Sequence, residues 1–367
     1  MKKKKNYKVI GIMTGTSMDG IDISYCSTDG LNNIKIFDEK SYSYPISIQT
    51  LIKKIKIINY SNNKNIKKYD KKITDIIINY LKKFLKEFDI SKKQIDFISL
   101  SGQTVLHVPK KKFTLQLGNP NLICKSLKLN VVSDFRIKDI LNGGQGAPIG
   151  SYYHKLLINK INPKSAIINL GGVANFSLIN NKKLISSDIG PANAITDDLM
   201  FYFFKKNFDR NGNIASKGKK NIKIFELYKK NSFFKKTFPK SLDRNNFHYL
   251  FKKLKKLRPH DALNTSSNFT IHSIIKLIDH KICENINEFI LTGGGRKNGY
   301  ILNSLRNLRK DIKFSIIDDY KFNGDLLEAQ MFAYIGVRSI KKLIISSKST
   351  TGVNKSISGG KLYKFNY

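Results

Sequence analysis

The sequence predicts an α/β fold of two related lobes, and three observations carry that expectation. The first is a glycine-rich, acid-bearing turn, Gly11-Ile12-Met13-Thr14-Gly15-Thr16-Ser17-Met18-Asp19-Gly20-Ile21-Asp22, set between apolar runs at 7–10 and 21–26. The second lies far along the chain. It is Asp188-Ile189-Gly190-Pro191-Ala192-Asn193, preceded by Asn169-Leu170-Gly171-Gly172-Val173-Ala174-Asn175. The third, Thr292-Gly293-Gly294-Gly295, closes an apolar run at 288–291. Glycines let backbone N–H groups approach phosphates closely, and carboxylates hold a metal or take a proton. Three such turns in this order point to a nucleotide cleft between the lobes and to phosphoryl transfer.

The first lobe opens with strands at 7–13, 21–28 and 34–37. They read as a hairpin or meander, not as the strand-to-helix turn of a dinucleotide-binding unit. Residues 66–88 place apolar side chains at helical spacing and predict a helix. A strand at 96–100 ends at Ser101-Gly102-Gln103-Thr104. A short strand at 113–117, a short helix at 122–127 and a buried strand at 131–133 follow, the last ending at Asp134. A helix at 149–159 and Pro163 close the lobe.

The second lobe restarts the pattern with strands at 166–170, 174–179 and 183–187. A helix at 191–204 has Pro191 at its first position. Residues 209–241 are lysine-rich and read as loops with one helix at 222–230. A helix at 262–282, a strand at 288–291, a helix at 298–308 and a long helix at 326–346 complete the lobe, and 349–367 reads as irregular. The lobes are expected at 1–164 and 165–339, with 340–367 packing back on the first. Hinged lobes of this kind bind ATP and close over a substrate.

Composition agrees with a globular, two-domain chain: 367 residues, of which 41% are hydrophobic. No apolar run reaches the roughly 18 residues of a membrane span. The N-terminal lysines are not followed by the apolar core of a signal peptide. The three cysteines, Cys26, Cys124 and Cys283, fit neither a disulfide framework nor a zinc site, and a reducing cytoplasm is expected. The formal charge is +39, yet only eight of the 66 basic residues are Arg. Lys accompanies Ile and Asn along the whole chain, as AT-rich coding bias on permissive surface positions would leave it. A phosphate-reading face would concentrate Arg and interleave aromatics. The expectation is a solvated surface that draws in anionic ligands, with no nucleic-acid partner and no membrane.

Further motifs keep the same order. They are Gly102-Gln103-Thr104 with His107 and Pro109; Thr114-Leu115-Gln116-Leu117-Gly118-Asn119-Pro120; Asp134-Phe135-Arg136 with Asp139; and Gly143-Gly144-Gln145-Gly146-Ala147-Pro148. Asn323-Gly324-Asp325 with Glu328, and Ser349-Thr350-Thr351-Gly352, follow in the second half. Over residues 10–360 the chain resembles the anhydro-N-acetylmuramic acid kinases, a family of the actin/hexokinase/Hsp70-like ATPase superfamily. The resemblance implies a two-lobe actin-like ATPase (ribonuclease H-like) fold with an interlobe cleft. It implies a kinase that uses ATP and Mg²⁺. Such a kinase opens the bridge of 1,6-anhydro-N-acetylmuramic acid with water and yields N-acetylmuramic acid 6-phosphate. It also implies a homodimer acting in cytoplasmic cell-wall recycling. The chain departs from the family pattern at Ser101, where His is common, at Thr14, where Ser is common, and at Ile189, where Thr is usual.

Carried onto these positions, the resemblance makes Asp188 the base that activates water. The alternative is an Asp capping the helix that follows. Gly15, Thr16, Ser17, Met18, Asp19, Gly20, Ile21 and Asp22 form the first phosphate turn, with Asp19 or Asp22 holding Mg²⁺ through water. An ordinary Asp-Gly hairpin is the alternative there. Gly171, Gly172 and Asn175 form the second phosphate turn. Gly293, Gly294 and Gly295 let adenosine lie against a helix start near Lys297, or simply make a helix entry turn. Gln103, Gln116, Asp134, Arg136 and Gln145 are the expected sugar contacts, Arg136 matching the lactyl carboxylate; a structural Asp134–Arg136 pair is the alternative. Glu328 is expected to support the metal or the base, or to be a helix-surface Glu. His107 reads as a packing or loop histidine, 201–204 as core aromatics, and Asp197 and Asp198 as shaping the metal's surroundings or capping backbone.

Two other readings compete. One is a different sugar or polyphosphate phosphotransferase on the same scaffold. The other is a nonenzymatic nucleotide switch or polyanion binder. Asp188 and the Asp134–Arg136 pocket favour an enzyme, because a switch needs neither a water-activating base nor a cation for a lactyl group.

Overall fold

A computed structural model describes residues 5–15, 20–57, 65–242 and 244–365. The chain divides into two compact units, Met1–Leu156 with Leu326–Tyr367, and Leu157–Asp325.

In the first unit β1 (Tyr7–Thr14), β2 (Gly20–Thr28) and β3 (Ile34–Ser43) form an antiparallel meander. β1 is central and nearly all buried, so its apolar residues run on rather than alternate. α1 (Ile46–Ile57) precedes α2 (Ile66–Glu87), whose buried Ile73, Ile77, Leu81 and Phe84 fall at helical spacing on one face. β4 (Phe97–Leu100) joins β1 in parallel. A separate hairpin follows, β5 (Gln103–Val108) with β6 (Phe113–Leu117). α3 (Pro120–Leu127) starts on Pro120 and is capped by Asn119, whose side chain accepts from the Asn121 and Leu122 amides. β7 (Val131–Ser133) pairs in parallel with β4, and α4 (Ile137–Leu141) and α5 (Ser151–Ile161) follow.

The second unit repeats the scheme. β8 (Ser165–Leu170), β9 (Val173–Asn180) and β10 (Lys183–Pro191) are antiparallel neighbours. α6 (Asn193–Phe204), α7 (Ile222–Lys229), α8 (His248–Leu254) and α9 (Pro259–Ile278) come next. β11 (Glu288–Thr292), α10 (Gly299–Leu308) and β12 (Lys313–Ile316) complete the unit. β11 lies parallel to β8, and β12 parallel to β11. The chain then returns to the first unit with α11 (Leu327–Ile340) and β13 (Lys361–Tyr363), the latter antiparallel on β7.

The sheet orders are β13-β7-β4-β1-β2-β3 and β10-β9-β8-β11-β12. Each contains an antiparallel meander whose first strand pairs in parallel with a further strand, which in turn pairs in parallel with another. This duplicated order is the ribonuclease H-like topology of actin-like ATPases. Separate apolar cores support it, one under α2 in the first unit and others under α9 and α10 and around Tyr228 in the second.

Several elements differ from the sequence expectation. Residues 326–339, grouped above with the second lobe, belong to the first unit. α11 is buried along most of its length and packs on β1, where Gly11 admits it: a Cβ there would stand 2.0 Å from the Ala329 carbonyl. Each large apolar side chain buried this way, such as Phe332, contributes roughly 1.5–3 kcal/mol. α11 stops at Ile340, short of 346, because Lys342 takes a left-handed conformation (φ 56°) and the Leu343 amide turns back to the Arg338 carbonyl. Pro191 is not the first residue of a helix but the last of β10, an edge strand that tolerates proline. β3 runs on to Ser43, and 361–363 pairs as a strand where the tail reads as irregular. α1, β5, α4, α8 and β12 are unforeseen; all are short or diluted with lysine and polar residues. Phe201 and Tyr202, expected in the core, are exposed (59% and 46%).

Candidate active site

The second unit sets three polar side chains in a row. Asn169 on β8 pairs with Asn175 on β9, and Asn175 pairs with Asp188 on β10. Cross-strand partners stand on the same face about 5 Å apart. Just after Asp188 the register shifts at a bulge, beyond which Gly190 and Pro191 pair with Ala174 and Val173. The Asp188 carboxylate accepts a hydrogen bond from the Leu242 amide (2.7 Å to Oδ2), and its own amide donates to the Lys240 carbonyl (3.0 Å). Burial pushes its pKa up to about 7, against the lowering effect of the Leu242 N–H. The group is therefore poised to take a proton near neutral pH. It does not cap α6, whose N-cap is Ala192.

The glycine turns of this unit pack on one another. The amides of Asn193 and Ala194 donate to the carbonyls of Gly171 and Gly172, and Asn193 Nδ2 donates to the Leu170 carbonyl (3.0 Å). Gly293 has φ 73°, and a Cβ there would stand 2.5 Å from Asn169 Oδ1, so glycine is required. A Cβ on Gly294 would meet nothing nearer than Asn193 Nδ2 at 4.0 Å. One on Gly171 or Gly172 would make only ordinary contacts. At these three positions the fold leaves room that a ligand can use. Buried Arg296 fixes the Gly293 turn by donating to its carbonyl (3.1 Å) while pairing with Asp318 (2.6 Å) and Asp325 (3.0 Å). Residues 294–297 make a 3₁₀ turn, and α10 begins after its own cap, Asn298. Lys297 pairs with Asp325, and Asp198 faces His248 on α8 at 3.9 Å.

In the first unit Asp22, Glu328 and Arg136 act on one another. Glu328, in the first turn of α11, is exposed, as its helix-surface alternative supposed; crowding by surrounding atoms and Asp22 raise its pKa, with Arg136 opposing. Desolvation lowers the pKa of Arg136, while Glu328 and Asp139 hold it up. Arg136 donates to the Gly146 carbonyl (2.6 Å), and Asp134 accepts from the Tyr363 hydroxyl, so each has a partner other than the paired reading supposes.

Gln116 and Gln145 are tied into the same stretch. Gln116 Nε2 donates to Thr114 Oγ1 (2.6 Å); that hydroxyl meets His107 Nδ1 (3.1 Å), and His107 Nε2 donates to the Gln145 carbonyl (2.9 Å). His107 thus joins the β5–β6 hairpin to the 143–146 loop rather than merely packing. Buried Asp139 braces that loop, accepting from the Gly146 amide (2.6 Å) and Thr351 Oγ1 (2.6 Å). Gln103 is fully buried; its Nε2 donates to the Gly15 carbonyl (2.9 Å), and its Oε1 has no hydrogen-bond partner among the described residues. Thr16, Ser17, Met18 and Asp19 lie outside the described residues; Gly15, Gly20, Ile21 and Asp22 flank them. Sequence reasoning misses Arg296, the bracing role of Asp139, and the Leu242 amide, which as a backbone donor leaves no mark in a sequence.

The family model described as anhydro-N-acetylmuramic acid kinase matches residues 7–365. A relative of that name from Pelagibacter ubique (strain HTCC1062) is 36% identical, the match covering 98% of this chain and 99% of the relative. One from Gamma-proteobacterium EBAC31A08 is 35% identical over 98% and 100%. One from Zymomonas mobilis subsp. mobilis is 31% identical over 96% and 99%.

Proposed function

The chain belongs to the anhydro-N-acetylmuramic acid kinase family, enzymes of peptidoglycan recycling, and we propose which of its residues share the work. In this reading 1,6-anhydro-N-acetylmuramic acid, ATP and water become N-acetylmuramic acid 6-phosphate and ADP. The observation that carries it is Asp188, fixed by the Leu242 amide and raised by burial to a pKa of about 7. Its carboxylate takes a proton from the water whose oxygen bonds to the anomeric carbon. The C1–O6 bond breaks, and O6 is freed to bond to the γ-phosphorus as the β,γ-bridging oxygen leaves with ADP.

Arg136 supplies the cation for the lactyl carboxylate. Gln103, Gln116, Gln145 and Asp134 orient the sugar; among the described residues the buried Oε1 of Gln103 has no donor. Residues 15–22 and Gly171, Gly172 and Asn175 bind phosphates through backbone and side-chain donors. Gly293, Gly294 and Gly295 receive the adenosine.

Among the described residues no group of three or more His, Cys, Asp or Glu is placed to hold a metal ion, so the magnesium part of this reading rests on a pair of carboxylates. Asp22 raises the pKa of Glu328, so these two carboxylates bear on one another, and a divalent cation offsets their repulsion. Asp22, with Asp19, holds the ion through water, and Glu328 supports it. When bound, the ion neutralises charge on the transferring phosphoryl group. Among the described residues no helix is long and apolar enough to cross a membrane, and Cys26, Cys124 and Cys283 are free and buried. The proposal includes a cytoplasmic homodimer, the state the family resemblance implies.

The test is ADP release from Mg-ATP with and without 1,6-anhydro-N-acetylmuramic acid, with mass analysis of the sugar. Release coupled to a sugar that gains one phosphate and one water supports the reading. A folded, ATP-binding sample that leaves this sugar unchanged overturns it.

A further inference from the structure

β10 is the edge strand of its sheet, yet its outer side is covered. Residues 240–242, the end of a strap that starts at Asn231, bond to it without joining the sheet as a strand. Buried Ser187 closes two hydrogen bonds with one residue of that strap. Its Oγ accepts from the Lys240 amide (2.8 Å) and donates to the Lys240 carbonyl (2.9 Å). The next residue of the strand is Asp188, and the residue two further along the strap is Leu242, whose amide donates to the carboxylate.

We propose that Ser187 is a positioning residue for the base: its hydroxyl clasps the strap to the β10 edge and so holds the Leu242 N–H on Asp188. This rests on Asp188 being the base. The hydrogen bond occupies Oδ2, fixes the carboxylate rotamer and directs Oδ1 to the water. The strap is anchored independently of the clasp. Phe233 is buried in the core, Phe238 meets Phe176 edge-on at 5.1 Å, and Lys240 Nζ donates to the Phe233 carbonyl (3.1 Å). Losing the hydroxyl leaves the Asp188 amide on the Lys240 carbonyl (3.0 Å) and the aromatic anchors in place, so the strap stays seated while the Lys240 amide and the 241–242 peptides that follow it lose their clasp.

The titratable groups on the elements packed against this edge are Lys235, Lys236 and Lys240 on the strap, Tyr228 on α7, whose hydroxyl stands by Gly190, and His260, Asp261, His272 and Lys276 on α9; β9 carries none. Lys276 and Lys236 bear on Lys240, whereas burial and the Leu242 N–H govern Asp188. An N–H donated to a carboxylate stabilises its charged form, so its loss raises the pKa.

The experiment is kcat against pH for the wild type, Ser187→Ala, Ser187→Thr and Asp188→Asn, with KM for the sugar at each pH. In Ser187→Ala the acid limb moves to higher pH by about one unit, the size expected from one charged hydrogen bond, and KM stays put. Ser187→Thr, which keeps the hydroxyl, retains the wild-type limb. A limb in Ser187→Ala that is unmoved or moves down, beside an inactive Asp188→Asn, overturns the clasp and leaves the base assignment standing. An active Asp188→Asn overturns both. Leu242→Pro removes the donor itself and keeps Ser187; it reads the same shift if Ser187→Ala does not fold.

Discussion

Asp22 on β2 raises the pKa of Glu328 at the start of α11, and Arg136 opposes it; two carboxylates and one guanidinium make one electrostatic group in the first unit. Glu328 also sits in the first turn of its helix, where the dipole favours negative charge. In the proposed magnesium site Glu328→Gln removes one carboxylate charge and leaves those of Asp19 and Asp22. The Mg²⁺ concentration for half-maximal ADP release then rises about tenfold, as loss of a supporting carboxylate does elsewhere. A magnesium titration at fixed ATP checks this. An unchanged midpoint takes Glu328 out of the metal's surroundings.

Asp188 joins a catalytic prediction to a stability one. Turnover needs its carboxylate ionised, so kcat falls as pH drops below about 7. Asp188→Asn loses turnover by several orders of magnitude while still binding ATP. The folded pKa stands above the ordinary carboxylate value, so the folded state binds a proton that the unfolded chain has released. This group's contribution is therefore fully present below the unfolded pKa, near 3.8, and is lost as pH rises through about 7. Asp188→Asn, neutral at every pH, should melt higher than the wild type at pH 8 and show little difference at pH 4. A lower melting temperature at pH 8 contradicts the burial argument.

Arg136 is proposed to meet the lactyl carboxylate. Arg136→Ala should raise KM for the anhydro sugar by about 10- to 100-fold, the range of one charge-assisted hydrogen bond, and leave KM for ATP near the wild-type value. Arg136→Lys restores charge without the fork and recovers only part of the loss. Steady-state kinetics with each substrate varied separates the outcomes. Equal effects on both KM values would point to a general disturbance of the 143–146 loop, whose Gly146 carbonyl Arg136 holds.

The opening strands of each lobe and the place of Asp188 at a strand end are legible because apolar strands stop at glycine and acid turns, a pattern that local sequence records. The partners of those residues are not. Thr14 and Ser101, both read from the sequence as departures from the family it resembles, touch one another: the Thr14 amide donates to Ser101 Oγ (3.1 Å), and their hydroxyls are 3.3 Å apart. Each substitution read alone gives no hint of the other, since parallel pairing of β1 with β4 creates the contact. The strap over Asp188 is hidden in a lysine-rich stretch that reads as loop, because its lysines mask the aromatic anchors Phe233 and Phe238. α11 reads from sequence as part of the wrong unit, because a uniformly apolar helix reports that it is buried, not where.

The glycine triplet separates fold from ligand binding within one turn. Gly293 adopts φ 73° and its missing Cβ makes way for Asn169 and the Leu170 carbonyl. Gly293→Ala forces backbone to move and adds left-handed strain, so it should destabilise the second unit by about 1–3 kcal/mol. Gly294 has open space instead, with nothing inside 4.0 Å of where an added methyl would stand. Gly294→Ala should therefore melt with the wild type, yet its methyl intrudes where the proposal puts adenosine, and KM for ATP rises. Thermal melting and ATP kinetics on the two variants decide the matter. A Gly294→Ala enzyme with wild-type KM for ATP and wild-type stability would remove the triplet from the nucleotide site and leave it a turn that the end of β8 and Arg296 require.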